Sequence, residues 1–313
     1  MASPVLQGRD QMERFVGIDV SKTALDVHVV PDGVAFQVAR NASGIDELVH
    51  RLAAYQPHIV ALEATGGFET VVAAGLAGAK LPVAVVNPAQ IRAFAHALGK
   101  RAKTDLIDAL VIARFAEATK PEPRALADAQ TQHLADLVAR RRQIVQMMTA
   151  ERNRQKHASR RTAKSCARLI AALERELADI NEEIDEAVRG SPAWRETEDL
   201  LRSVPGVGPV VARTLLADLP ELGTLDRRRI AALCGLAPWT RQSGQWRGKS
   251  FIGGGRSSVR SALFMAALVA AKRSPPFAAF YQRMIARGKA KMAAVIAVAR
   301  KLLVVLNAVL RTA

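Results

Sequence analysis

Cysteine is nearly absent. Cys166 and Cys234 lie 68 residues apart, with no Cys or His at ligand spacing around either. That excludes a zinc site and a disulfide framework and leaves two reduced thiols. Acids are also short: 29 Asp and Glu face 45 Lys and Arg, a formal charge of +16 and a pI near 10.7. The deficit implies a polyanionic partner, nucleic acid first and an anionic membrane surface as the rival. A clean membrane span is lacking as well. The most apolar stretch, residues 292–310, is interrupted by Arg300 and Lys301 and reads as a buried helix. No charged, apolar and small-residue pattern opens the chain, so nothing marks it for export and the expected place of work is the cytoplasm.

What is present is a chain of 313 residues, half of them apolar, long enough for a large core divided into domains. Residues 1–12 are polar and aperiodic and read as a loose arm. From Glu13, "RFVGIDV", "LDVHVV" and "VAFQVAR" read as a three-strand meander. A helix near residues 44–54 follows, then the strand "HIVALEA", a helix after Gly67, the strand "PVAVVN" and helical sequence from Pro88. This β-β-β-α-β-α-β-α order is that of a ribonuclease-H-like α/β core, in which carboxylates from separate segments gather at one edge of the sheet.

The run "TKPEPRAL", residues 119–126, reads as a linker, and the sequence beyond it is almost wholly helix-compatible. Cys166, Ile170, Leu173, Leu177, Ile180, Ile184 and Ala187 alternate steps of four and three, a heptad seam that predicts a coiled-coil arm. Between Arg140 and Lys164 stand nine Lys and Arg against one acid, Glu151. Arg140, Arg141, Arg142 and Arg152 are therefore candidate nucleic-acid contacts, as are Arg154, Lys156, Arg160 and Arg161. The competing reading is a solvated helix face. After "SPAW", residues 191–194, a third and mainly helical segment contains "SVPGVGPVVARTLLADL". Its Gly206-x-Gly208 turn resembles a helix-hairpin-helix motif, which offers backbone N–H groups to phosphates without reading bases; a tight helix connection with no ligand is the alternative. The division expected is 13–125, 126–193 and 194–313.

Four acids are candidates for chemistry: Asp19 at the end of the first strand, Glu63 at the end of "HIVALE", and Asp105 and Asp108 in "KTDLIDALVIARFA". Carboxylates at i and i+3 on a helix lie about 5–6 Å apart on one face, which lets them share or flank a divalent cation. Mg²⁺ takes few protein carboxylates and keeps phosphate oxygens in its shell, so such a cluster suits phosphodiester chemistry. Each acid alone also has an ordinary reading, as a turn cap, a helix N-terminal acid or a partner of Lys or Arg.

With these motifs in family order from about residue 14 to 310, the chain resembles the transposases of the insertion-sequence-110 family, including its 1111 branch. The segments "VGIDVSKTALDVHV", "LEATGGFE", "KTDLIDALVIARFA", "VPGVGPVVARTLLADL" and "LCGLAPWTRQSGQWRG" carry the resemblance. It departs at "IGGGRSSVRSAL", where relatives usually have a lysine and fewer glycines. The resemblance implies a RuvC-like domain with an Asp-Glu-Asp-Asp set, matched here by Asp19, Glu63, Asp105 and Asp108, a coiled-coil arm, and a mainly helical C-terminal domain with a nucleophilic serine, Ser243 in "RQSGQWRG". It further implies donor and target DNA and a structured noncoding bridge RNA as guide; Mg²⁺ is the cation such acids would hold, and the 135 or more residues between the acids and the serine, with the arm between them, predict a composite site in a dimer or tetramer. Arg241, Arg247 and Lys249 beside the serine become candidate phosphate clamps. Three other readings remain at this point: a Holliday-junction resolvase-like nuclease using water, an actin-like ATPase weakly suggested by "GID", and an architectural DNA-binding protein.

Overall fold

A computed structural model of the protein describes residues 12–64, 66–99, 105–123, 128–240, 242–243, 246–248 and 250–312. Most of the expected loose arm and the second half of the expected linker lie outside them. The chain forms two compact units, Met1–Leu126 and Ala127–Ala313.

The first unit is a mixed α/β sheet. Strands β1 (Phe15–Val20), β2 (Ala24–Val30) and β3 (Val34–Ala39) form the antiparallel meander. Helix α1 (Ala42–Tyr55) leads to β4 (Ile59–Glu63), and α2 (Phe68–Gly78) leads to β5 (Val83–Val86). The order across the sheet is β3-β2-β1-β4-β5, with β1–β4 and β4–β5 parallel. Helices α3 (Pro88–Ala97) and α4 (Asp105–Thr119) complete the unit. Asparagines start two of these helices: Asn41 Oδ1 accepts from the Gly44 N–H at 2.9 Å, and Asn87 Oδ1 from the Ala89 N–H at 2.8 Å.

Strand alternation divides the core. Val16, Ile18 and Val20 pack with Leu48, Leu52, Val72 and Leu76 of α1 and α2, whereas Phe15, Val30, Ile59 and Ala61 pack with Ile112, Phe115 and Ala116 of α4. Gly17 lies on the second face. A Cβ there would stand 2.2 Å from the carbonyl oxygen of Ala109 and from the nitrogen of Ala113, so the glycine lets α4 lie directly on β1. At the other end of α4, Lys120 pairs with Glu13, and its Nζ sits 5.7 Å from the Phe15 ring. The helix therefore runs antiparallel to β1, and its first turn reaches the end where β1 and β4 finish.

The second unit is almost entirely helical. Helices α5 (Ala129–Lys156) and α6 (Arg160–Gly190) fold back on each other, as shown by contacts of Arg152 with Glu174 and of Arg141 with Asn181. Ser159 caps α6. The heptad seam is covered within the chain: Ile180 and Ile184, with Leu173, Leu177 and Ala187, pack against Leu134, Leu137, Val138, Ile144 and Met148 of α5. Next come α7 (Pro192–Arg202), α8 (Pro209–Asp218) and α9 (Arg227–Leu233). A short hairpin of β6 (Gln242–Ser243) and β7 (Trp246–Arg247) precedes α10 (Ser257–Arg273), α11 (Pro275–Ala286) and α12 (Lys291–Thr312).

Helix α12 is long and apolar enough to cross a membrane by length and composition. Its Val298, Leu302, Leu303 and Leu306 nevertheless belong to the core shared with α8 and α10, the buried helix expected from residues 292–310. Asn307, also buried, accepts from the Gly223 N–H and donates to the Leu225 carbonyl, both at 2.9 Å. That amide pairs the Gly223 N–H and shares the Leu225 carbonyl with Arg311, whose guanidinium donates to it at 2.7 Å.

Candidate active site

The first unit brings the predicted acids to one end of the sheet. Ile18 and Leu62 are the last Cα partners of the parallel β1–β4 ladder, so Asp19 and Glu63, each the next residue, stand beside each other at the same end of adjacent strands. Both are half-buried and share the sheet face of Gly17 and Ala61, which α4 covers. Asp105 opens α4 and Asp108 follows one turn later, half-buried and next to the Ala109 that meets Gly17. The side chain of Asp105 is outside the described atoms. Among the described residues no three Asp, Glu, His or Cys side chains close into a group that would hold a metal ion. The donor chemistry, carboxylate oxygen throughout, suits a hard divalent cation and not a soft one.

One acid escaped the sequence reading. Asp26 is the cross-strand partner of Asp19 in the antiparallel register and is 4% exposed. Its Oδ1 accepts from Gln37 Nε2 at 2.9 Å, and Gln37 is in turn its partner on β3. A polar row, Asp19, Asp26, Gln37, thus crosses three strands on one face. Its signal lay in "ALDVHVV", where Leu25, Val27 and Val29 alternate into the other core layer and leave Asp26 facing the side of α4.

Ser243 lies in the second unit. It is exposed on β6 and pairs with Trp246 of β7. Arg241 and Lys249 fall outside the described residues, and Arg247 is placed on β7 by its backbone alone. Neither cysteine competes as a nucleophile. Burial pushes the Cys234 thiol up to about 12, and burial followed by a hydrogen bond to Glu151 raises that of Cys166.

The basic run is less bare than its sequence. Arg142 pairs with Asp218 at 3.1 Å, Arg152 with Glu174 at 2.8 Å, and Arg154 with Glu151. Two of those acids come from α8 and α6, far along the chain, which a local charge count misses. The Arg152–Glu174 pair is exposed on both sides, so it holds weakly and leaves that cation open to exchange for phosphate. Arg140 donates to Gln143 Oε1 at 3.4 Å. Arg141 donates to Asn181 at 2.8 Å and is held below the usual arginine range by burial and then by the charge of Arg213. Lys156, Arg160 and Arg161 are exposed.

The glycine turn sits between α7 and α8. Gly206 has φ +99°, and a Cβ on it would come 2.7 Å from the Ala266 carbonyl oxygen, so glycine is required for both backbone and space. Gly208 is the N-cap of α8 and offers no side-chain cap to the first turn.

The chain resembles known proteins along nearly its whole length. A transposase family model named for DEDD transposases of IS110 matches residues 16–162, and the transposase model of the IS116/IS110/IS902 family matches residues 198–282. The pilin gene-inverting protein of Moraxella bovis is 30% identical over 313 residues, covering 95% of each chain, and that of Moraxella lacunata matches equally well. A 42 kDa protein of insertion element IS900 from Mycobacterium paratuberculosis is 34% identical over 151 residues, 46% of this chain and 36% of that one. The chain therefore belongs to the IS116/IS110/IS902 family of transposases, enzymes that cut and rejoin DNA.

Proposed function

We propose that the protein is a site-specific DNA recombinase of an insertion sequence, acting in the bacterial cytoplasm through a phosphoserine intermediate on Ser243. The observation that carries this reading is the close approach of Gly17 to Ala109 and Ala113, which directs the first turn of α4 toward Asp19 and Glu63. Asp105 and Asp108 then belong to the same end of the sheet. The first unit is compatible with a RuvC-like fold, the α5–α6 hairpin with a coiled-coil arm, and the Gly206 turn with a helix-hairpin-helix grip. The reading keeps three parts, 13–125, 126–193 and 194–313.

In the proposed reaction Ser243 Oγ attacks a DNA phosphorus. The hydroxyl proton leaves Oγ, the bond from phosphorus to the 3′ oxygen breaks, and that oxygen departs as a 3′-hydroxyl. Attack by another strand's 3′-hydroxyl on the phosphoserine returns the serine, so the ester conserves bond energy and sealing needs no ATP. Asp19, Glu63, Asp105 and Asp108 would hold Mg²⁺, which supplies charge compensation at the phosphate. Arg241, Arg247 and Lys249 position phosphate oxygens, and the basic face of α5 and the Gly206-Gly208 turn hold the backbone. The two Moraxella relatives are named for inverting a gene. Inversion restores every strand it cuts, which favours transesterification over hydrolysis. The acids and the serine stand 135 or more residues apart with the arm between them, and in this reading they come from different protomers of a dimer or tetramer. A noncoding bridge RNA, implied by the resemblance, supplies target choice by base pairing.

The test compares wild type, Ser243→Ala and Asp105→Asn with Mg²⁺, guide RNA and labelled DNA on a denaturing gel. A protein–DNA adduct lost in the serine variant is expected. Nicking without an adduct, unchanged by Ser243→Ala, would make the protein a metal-dependent nuclease.

A further inference from the structure

Aromatic residues make up only 4% of the chain, and few of them are wasted on the surface. Among the described residues three aromatic side chains are more than a third exposed: Phe68, Trp239 and Phe251. Phe68 lies under the Arg40 guanidinium, 4.8 Å from its ring centroid. The other two stack on each other, with ring centroids 6.4 Å apart and planes at 15°. They are also cross-strand partners: the Trp239 N–H donates to the Phe251 carbonyl at 2.7 Å, and the Phe251 N–H donates back at 3.2 Å.

The backbone thus holds the two rings in a fixed pair. Trp239 is 58% exposed and Phe251 45%, and both lie outside the buried core of the second unit. The pair closes the neck of the hairpin that carries Ser243. Ser243 is four positions beyond Trp239, at most about 13 Å of extended chain. From Trp239 to Phe251 the sequence holds Arg241, Arg247 and Lys249 and no acid. An aromatic platform inside an acid-free basic loop is complementary to a group that is flat, apolar on its face and attached to negative charge. A nucleobase on its phosphate backbone meets all three conditions. Within a duplex each base face is already covered by its neighbours, so the base that stacks here must be unpaired.

We propose that Trp239 and Phe251 form a stacking platform for an unpaired base of the DNA strand being cut, a few nucleotides from the phosphate attacked by Ser243. The placement relative to that phosphate rests on the phosphoserine reading; the platform itself does not.

The experiment uses the full chain carrying Ser243→Ala, so that binding is read without cleavage, and single-stranded and duplex oligodeoxynucleotides with 2-aminopurine near the cleavage site. Trp239→Ala is expected to weaken single-strand binding on the order of tenfold and to abolish the quenching of 2-aminopurine. Duplex affinity should change little, and Trp239→Phe should restore both signals. Phe251→Leu, which keeps an apolar cross-strand partner, should give an intermediate loss and guards against unfolding of the hairpin by the alanine. Equal single-strand affinity and equal quenching in all variants would overturn the proposal. So would a Trp239 dependence seen only with RNA, or a change in oligomeric state with DNA binding intact, which would make this face a contact between copies. In the Ser243 background, adduct assays of Trp239→Ala separate the two readings: quenching that depends on Trp239 in a protein that forms no adduct at all sinks the serine mechanism and leaves the platform standing.

Discussion

Asp19 and Asp26 face each other across the β1–β2 pair, and Asp26 is the more buried, with Gln37 donating to it at 2.9 Å. Like charges directly opposite on a sheet are destabilising, and under the proposed function a divalent cation held by Asp19 would offset that repulsion. Asp26→Asn keeps the acceptor for Gln37 and removes the repulsion. The variant should be as stable as wild type or up to about 1 kcal/mol more stable in EDTA. Its thermal midpoint should gain less from added Mn²⁺ than wild type does. An equal metal-dependent gain would remove Asp26 from the site.

Gly17 fixes the seat of α4. In Gly17→Ala the new methyl group must displace the Ala109 and Ala113 backbone from 2.2 Å, and overpacking of this kind costs about 1–3 kcal/mol. Urea unfolding should show that loss. DNA cleavage should fall further than stability explains, because the first turn of α4 is carried away from Asp19 and Glu63.

A site divided between protomers predicts complementation. Ser243→Ala and Asp108→Asn should each be inactive alone, whereas co-assembled mixtures should regain adduct formation on the chains that keep the serine. Mixtures as inactive as their parents would confine acids and serine to one protomer.

The heptad seam of α6 is satisfied by α5 of the same chain. Ile184, 1% exposed, should therefore report on folding: Ile184→Ala is expected to cost about 2–5 kcal/mol in urea unfolding. Sedimentation of the folded fraction should be unchanged. Dissociation without loss of stability would show instead that the seam joins subunits.

Cys234 gives a pH signature. Its thiol is raised from 9.0 to about 12 by burial, so the folded state keeps a proton that the unfolded state has released. The associated stability is fully present below pH 9 and is lost as pH rises toward 12. Alkylation at pH 8 should label Cys166 first, and Cys234 only after denaturation.

Much of the first unit was legible because its signals are local. Alternation in "RFVGIDV" and "ALDVHVV" and Pro88 at a helix start each act within a few residues. The spacing of Asp105 and Asp108 followed from helical periodicity alone. Asp26 was not legible, since its importance depends on the register that sets it opposite Asp19. The same limit hid the acid partners of Arg142 and Arg152, which stand on α8 and α6.

The sequence by itself determined the element order, the basic character, the candidate acids and the family to which the chain belongs, and the resemblance to that family singled out the candidate serine. Only the tertiary structure decided that α4 runs antiparallel to β1, that the α6 seam is filled from within, and that Trp239 and Phe251 stack at the neck of the serine hairpin. Strand and helix periods are short-range properties of the chain. Close approaches such as Gly17 to Ala113 and cross-strand pairs such as Trp239 and Phe251 join residues that no local period relates.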